Sequence, residues 1–483
     1  MTAFLAFIVP ALWLFPLLAA AVVQFVLRDP RRQRAAAIAV AWLVFLAALA
    51  LLLFNASGKA FAREDFEAGP LLALHYHMAI DGLNAVLLPM TAALALGALL
   101  SAPRSDLRGD TAARILVVEG TLLGAFLSLD LAMLAVFWVA SMLPLWEDTR
   151  RSGSRPLHLV MTLAMAITAA ALTGAVFGLT SAGASLDLVT AAPASVAAPT
   201  WTGWLLLFAA LLRMGIVPLH LWLTAAVGRA PGHSAMLAIL TPLGSFGLAR
   251  VVMPMFPALY ADLSAPLIFL GGATALYGSL LAVGQHDLRR VIGSFWVSQM
   301  GLVLCGLATL EPAGVAGALL QAMSSTVESS GLMLIALEVE ARAGTTDMRR
   351  LGGLVRQAPR MATAFFLLSA AAVGFPGTIS FVAEDLAIQG LLDDHKFVAA
   401  ILLIVTAING IALFKAFKQT FLGPPSPHAD PQRTFVDLRG WEHAVAVAMM
   451  GTLLLGGFMP QPLLAVRTGI VDMLGRITAA RAH

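Results

Sequence analysis

Apolar stretches of roughly twenty residues recur along the whole chain, and each is long enough as a helix to cross about 30 Å of hydrocarbon. Short polar or charged segments separate them. As helices the stretches fall near 4–27, 36–54, 79–101, 112–128, 130–146, 156–179, 201–226, 233–255, 264–283, 287–308, 313–337, 362–393, 396–421 and 441–464. The pattern predicts an all-α polytopic membrane protein of about fourteen transmembrane helices. The first stretch, Phe4 to Leu27, lacks a basic start and is followed at once by another span, so it reads as a retained helix rather than a signal peptide.

Two of these spans carry helix breakers in their middle: Gly215 and Pro218 in one, Gly374, Pro376 and Gly377 in the other. The interrupted spans lie five helices apart, and an odd repeat length inverts the second copy. This predicts two inverted repeats of five helices with broken helices 7 and 12. The chain then divides into an N-terminal three-helix segment (1–111), a first repeat (112–255, helices 4–8), a second repeat (256–421, helices 9–13), and a last helix and tail (422–483). In hydrocarbon a broken backbone persists only where protein or trapped water satisfies it. Pro218, Pro376 and Gly377 therefore mark candidate ion sites; simple kinking of a membrane helix is the alternative.

Composition agrees with the pattern. Hydrophobic residues make up 59% of the chain and charged residues 12%, with a mean hydropathy of +0.87, against about 25% charged in an ordinary soluble domain. Of the 30 Lys and Arg residues, 22 fall in one set of alternate loops, seven in the other, and Arg213 within a span. The richer set includes Arg28, Arg31, Arg32, Arg34, Arg104, Arg108, Arg114, Arg150, Arg151, Arg155, Arg349, Arg350, Arg356 and Arg360. Cytoplasmic loops carry the excess of basic residues, so both termini are expected on the non-cytoplasmic side. The basic residues are scattered rather than interleaved with aromatics, which gives no support for nucleic-acid binding. The single cysteine, Cys305, leaves no internal disulfide. With no cysteine ligand set, phosphate-binding glycine loop or clustered histidines, no cofactor, metal or catalytic site is expected in the chain itself.

The few ionisable groups inside spans carry the functional signal. Arg213 lies five residues before Pro218, and Glu384 lies eight after Pro376. A charge at such depth is a functional candidate by default; snorkelling to the interface is the alternative. Glu328 sits among Ser324, Ser325, Thr326, Ser329 and Ser330, a setting that suits either a hydrated relay or hydroxyl-mediated helix packing. Glu119 is a further candidate nearer a helix end. His220 suits either proton transfer near neutral pH or a structural hydrogen bond. Lys415 and Lys418 read as interfacial lysines, Lys415 the deeper, and Glu338 and Glu340 as a solvated helix end.

Several motifs resemble the antiporter-like membrane subunits of respiratory complex I, which are related to subunits of multisubunit cation/proton antiporters. RMGIVPLHLWLTAAVGRAP resembles the broken seventh helix of that family, QHDLRRVIGSFWVSQMG its Asp-Leu-Lys-Arg loop and following helix, and GFPGTISFVAED its broken twelfth helix. Glutamate at 384 after Pro-Gly-Thr is similar to the subunit M (chain 4) type. HYHMAIDGLN and GGFMPQPLL also fit, and no long lateral C-terminal helix of the subunit L type is expected.

The resemblance implies two half-channels joined across the membrane by ionisable groups and water. It also implies other membrane subunits as partners, protons or Na+ as the transported ion, and a bacterial-type inner membrane. Arg213 takes the place of the seventh-helix lysine and Glu384 that of the distal glutamate. Three expected groups are replaced: the fifth-helix glutamate by Val139, the eighth-helix lysine by Pro242 and the eleventh-helix histidine by Ser325. Arginine stays charged where lysine can release a proton, so Arg213 suits charge sensing better than relay. Glu119, Asp130 and Glu147 are the candidates to compensate it, or a hydrated half-channel does so, and Glu328 is the candidate to stand in for the histidine. Two functions follow. One is a proton-translocating subunit of an NADH-quinone oxidoreductase-type complex. The other is a non-pumping structural or regulatory paralogue in a hydrogenase-like, cation/proton antiporter or inorganic-carbon-uptake complex.

Overall fold

The computed structural model describes residues 2–56, 64–67, 75–102, 109–188, 198–230, 232–424 and 435–460. Arg104, Arg108 and the tail beyond residue 460, where the last predicted span was to end, lie outside the described residues.

The first four helices are α1 (Thr2–Ala21), α2 (Pro30–Ala56), α3 (Leu87–Ser101) and α4 (Gly109–Leu127). Between α2 and α3 two short strands, Glu64–Glu67 and His75–Met78, pair antiparallel, a hairpin that the helical reading did not anticipate. Next come α5 (Leu131–Ala140), α6 (Leu143–Arg151), α7 (Arg155–Ser181), α8 (Thr200–Met214) and α9 (Leu221–Arg229). Short pieces follow: α10 (Gly232–Ile239), α11 (Leu243–Gly247), α12 (Met253–Met255) and α13 (Pro257–Asp262). The second half holds α14 (Ser264–Gly284), α15 (Leu288–Ala308), α16 (Pro312–Ala343), α17 (Pro359–Ala372), α18 (Ile379–Gln389), α19 (Lys396–Phe421) and α20 (Gly440–Phe458).

Among the described residues nine helical segments are long and apolar enough to cross a membrane. The chain is a multi-pass, mostly helical integral membrane protein. Large apolar side chains such as Phe25, Phe177, Phe397 and Phe458 point outward from the bundle, each at least 70% exposed. In water such a surface would be a liability; in a bilayer it is the face toward lipid.

Both predicted breaks are present, at residues 215–220 between α8 and α9 and at 373–378 between α17 and α18. Two further spans read as continuous are also interrupted. The predicted 130–146 helix divides into α5 and α6 at Ser141 and Met142, and 233–255 divides at Leu240–Pro242 and passes through a π-helical turn, Leu248–Val252. Pro242, with no N–H to donate, sits at that interruption.

Two loop junctions share one construction. Asp130 caps α5 by accepting from the Met133 amide (2.9 Å), while Leu131 N donates to Leu186 O (2.9 Å) and Leu188 N to Leu129 O (2.8 Å). Asp287 caps α15 by accepting from the Arg290 amide (3.1 Å), while Leu288 N donates to Thr346 O (3.0 Å) and Met348 N to His286 O (2.8 Å). Asp130 and Asp187 form one isolated bridge, and Asp287 and Asp347 the other. In the second loop, the Arg349 guanidinium hydrogen-bonds Asp347 and holds its carboxyl below the usual range.

The core of the second half is α15, buried along its length apart from Arg290, with α16 beside it. Glycine permits close approach on every side: a Cβ on Gly306 of α15 would stand 2.8 Å from Gly314 O of α16, one on Gly301 2.4 Å from the Ala275 nitrogen of α14, and one on Gly317 of α16 2.4 Å from the Ala387 nitrogen of α18. Lipid tails give no hydrophobic drive for helix association, so such backbone approach supplies packing that bulkier residues would forbid.

Candidate functional site

In the first half, α8 ends because Gly215 adopts a left-handed conformation (φ 76°). The amides of Gly215 and Ile216 close back onto Leu212 O (3.1 Å) and Leu211 O (3.1 Å), and the Trp222 indole donates to Leu212 O (3.0 Å). Val217 N donates to the Thr274 hydroxyl (3.3 Å). The freed backbone at the break is thus satisfied by protein, as a bilayer requires.

Arg213 occupies the last turn of α8 and is 4% exposed. Its Nη2 donates to the Ser141 hydroxyl at 3.2 Å, and Nη1 has no hydrogen-bond partner among the described residues. None of the proposed compensating carboxylates is bonded to it. Asp130 caps α5, and Glu147 pairs with Arg150 and Arg151 (2.7 Å each). Glu119 is fully buried on α4, with neither carboxylate oxygen hydrogen-bonded. What does favour the cation is its place at a helix C-terminus, where the negative end of the dipole contributes up to about 2 kcal/mol in buried settings. His220 is buried and packs edge-on against the Tyr277 ring (5.2 Å between centroids).

In the second half a polar chain crosses four helices. On α15 and α16, Gln321 donates to Gln299 (2.9 Å) and to the Ser325 hydroxyl (3.3 Å). Ser380, second residue of α18, lies 3.1 Å from the Ser324 hydroxyl and hydrogen-bonds the Glu328 carboxylate. Glu328 is fully buried and faces the N-terminal turn of α18, where helix polarity favours negative charge. Glu384 stands one turn beyond Ser380 on α18, 7% exposed, and accepts from Thr406 of α19 at 3.3 Å. One turn along α19, Asn409 donates to Ser298 of α15 (3.0 Å). Among the described residues, Glu328 and Glu384 each keep one carboxylate oxygen without a hydrogen-bond partner.

The break itself shapes this site. Gly374 (φ 68°) lies so near Glu384 that a Cβ there would stand 3.0 Å from its Oε2. Gly377 (φ 96°) follows Pro376, and α20 closes over the break, where a Cβ on Gly457 would meet Gly377 O at 2.3 Å. A mostly apolar cavity of about 370 Å³ opens beside it, lined by Phe366, Ser369, Gly374, Phe375 and Phe417 among others.

The sequence-predicted candidates therefore do not form one cluster. Glu328 and Glu384 are brought together around α18, while Arg213 and His220 flank the first break. Lys415 serves a different end: its Nζ donates to Val283 O (2.6 Å) and Gln285 O (3.2 Å) at the C-terminus of α14. Glu338, read as solvated, is 3% exposed. Sequence reading missed Ser141, Ser380, Thr406, Gln299, Gln321 and Asn409. The three amides were the usable signal, because Asn and Gln deep in apolar spans find partners across helices; isolated hydroxyls carry no such mark.

Residues 120–409, more than half of the chain, match the family described as "NADH:quinone oxidoreductase/Mrp antiporter, TM". Among curated relatives, the NADH-quinone oxidoreductase subunit M of Pseudomonas aeruginosa is 26% identical over 434 residues, 84% of each chain. A chloroplastic NAD(P)H-quinone oxidoreductase chain 4 of Cryptomeria japonica is 28% identical over 72% of each. Of solved structures, a chain of the respiratory complex I from Thermus thermophilus has a TM-score of 0.87 at 24% identity, covering 97% of this chain and 99% of that one. A chain of the Mrp complex from Dietzia sp. DQ12-45-1b follows the same fold with a TM-score of 0.82 at 22% identity, again over 97% and 99%. The chain belongs to the NADH:quinone oxidoreductase/Mrp antiporter family of antiporter-like membrane subunits, its curated relatives being of the subunit M (chain 4) type.

Proposed function

We propose that the chain is a membrane-arm subunit of an NADH-quinone oxidoreductase-type complex and takes part in proton translocation coupled to electron transport. The observation that carries this reading is the pair of carboxylates at α18, Glu328 bonded to the Ser380 hydroxyl and Glu384 to the Thr406 hydroxyl of α19, set against a broken helix with the Asn409–Ser298 bond one turn further along α19. Each carboxylate keeps an unpartnered oxygen able to take or release a proton. A change in a partner subunit that alters the Arg213 environment would displace charge toward this pair. Reconstitution of the whole assembly tests it: Glu384→Gln is expected to cut proton movement per electron transferred, and unchanged stoichiometry overturns the reading.

The fourteen-helix arrangement belongs to the same proposal. Joining α5 to α6, α8 to α9, α10 through α12, and α17 to α18, and setting aside the six-residue α13, which is too short to cross, gives fourteen spans. The Asp130–Asp187 and Asp287–Asp347 junctions lie 157 and 160 residues apart, and Gly215 and Gly374 lie 159 apart. This common offset supports inverted repeats at 112–255 and 256–421, between 1–111 and 422–483. The basic-residue bias then supports both termini on the non-cytoplasmic side.

Arg213 favours the second reading, a non-pumping paralogue. It is fixed in charge, it meets only a hydroxyl, and Val139 and Pro242 stand where the family resemblance expects ionisable groups. In that case Glu384→Gln leaves proton stoichiometry unchanged while removal of the whole chain still disrupts assembly.

A further inference from the structure

At the C-terminal end of α16 lies a second group of buried charges, apart from the pair around α18. Arg342 hydrogen-bonds the Oε2 of Glu338, donates to Glu442 Oε2 at 2.5 Å and, through Nε, to Val436 O at 2.6 Å. The Arg439 amide adds a bond to Glu442 Oε2 at 2.8 Å. The side chains of Glu338, Arg342 and Glu442 are 4%, 12% and 15% exposed. Two carboxylates thus share one hydrogen-bonded guanidinium, and the nearby Arg439 is exposed to solvent at the start of α20. Among the described residues, Glu338 Oε1 is buried without a hydrogen-bond partner. A cavity of about 10 Å³ is lined by Glu338, Glu442, Ser101 and, one helical turn from Glu328, Gly331. That is about the space of one water or one bare monovalent ion.

A buried carboxylate that shares its cation is costly, and among the described residues no second cation is hydrogen-bonded to Glu338 or Glu442. The groups facing Glu338 are Arg342 on its own helix, Glu442 and Arg439 at the start of α20, and the neutral Ser101 of α3. We propose that Glu338, Arg342 and Glu442 form a binding site for one monovalent cation, a proton or Na+, taken by the free Oε1 of Glu338 beside this cavity. It deepens the translocation reading only in its role, a store of one ion almost three turns along α16 from Glu328; the binding site stands without that reading.

Infrared spectroscopy on the full chain in lipid nanodiscs tests it without any pumping measurement, so its failure is distinct from failure of the translocation reading. If the ion is a proton, the wild-type chain shows a carboxylic-acid carbonyl band in Na+-free buffer that Glu338→Gln removes. If it is Na+, titration with NaCl at fixed pH shifts a carboxylate band that Glu338→Gln removes. Glu442→Gln guards against misfolding as an explanation: it matches Arg342 to Glu338 one to one, and the ion is expected to bind about tenfold more weakly. Spectra of wild type and Glu338→Gln that coincide through both titrations overturn the proposal, as does unchanged ion binding in Glu442→Gln.

Discussion

Ser380 donates its hydroxyl hydrogen to Glu328 across the contact between α16 and α18, from the first turn of the half-helix that also carries Glu384. One short helix therefore holds both carboxylates of the second half in place: Glu328 through a hydroxyl at its N-terminus, Glu384 on its own next turn. Ser380→Ala leaves a fully buried carboxylate without its donor, a loss of about 1–3 kcal/mol. A lowered unfolding temperature of the assembled complex, with slower proton movement in proteoliposomes, is the expected result. Ser380→Thr keeps the hydroxyl and should restore both.

Arg213 is buried beside a hydroxyl and no carboxylate is bonded to it. Placing an aspartate at the contacting position, Ser141→Asp, should stabilise the complex by about 1–3 kcal/mol when Arg213 is present. The same change should destabilise it in an Arg213→Met background, because each charge then lacks its partner. A double-mutant cycle of thermal unfolding checks the sign; additivity would mean that the cation is already compensated.

Gly374 combines a left-handed backbone with a close approach to Glu384. Gly374→Val therefore costs backbone strain of about 1–3 kcal/mol and pushes the carboxylate from its place. Proton translocation and thermal stability should fall together, whereas Gly440→Ala, where open space surrounds the glycine, should change neither.

Lys415 meets two backbone carbonyls at the end of α14 rather than any member of the polar chain. Lys415→Met should remove a helix cap, lowering stability by about 1 kcal/mol, while the number of protons moved per electron stays at the wild-type value. A changed stoichiometry would place Lys415 on the ion path instead.

The family, the multi-pass helical fold and the two main breaks were legible in the sequence. Hydrocarbon imposes a strict rule on it: spans must be apolar, and a Gly or Pro cluster inside one must be answered by neighbouring protein. Less was legible at Ser141 and Leu240–Pro242, where breaks occur within spans of unbroken hydropathy. Apolar periodicity reports burial from water, and a kink between two buried helix pieces leaves it unchanged. Glu338 shows the same limit from the other side. Its place next to a charged loop suggested a solvated end, yet Glu338 is buried beside Arg342, which bonds Val436 O just before α20 and Glu442 in its first turn.

What the sequence determined by itself was which charges enter the membrane, because each costs about 2.5–3.5 kcal/mol on an insertion scale and stands out against its apolar surroundings. What only the tertiary structure decided was which of them meet. Glu328 and Glu384 lie 56 residues apart and converge on α18; Arg213 and its expected carboxylates do not converge, and Lys415 turns to a helix end. Hydrogen bonds reach only about 3 Å, so partnership depends on the crossing of helices far apart in the chain, which no local pattern of residues encodes.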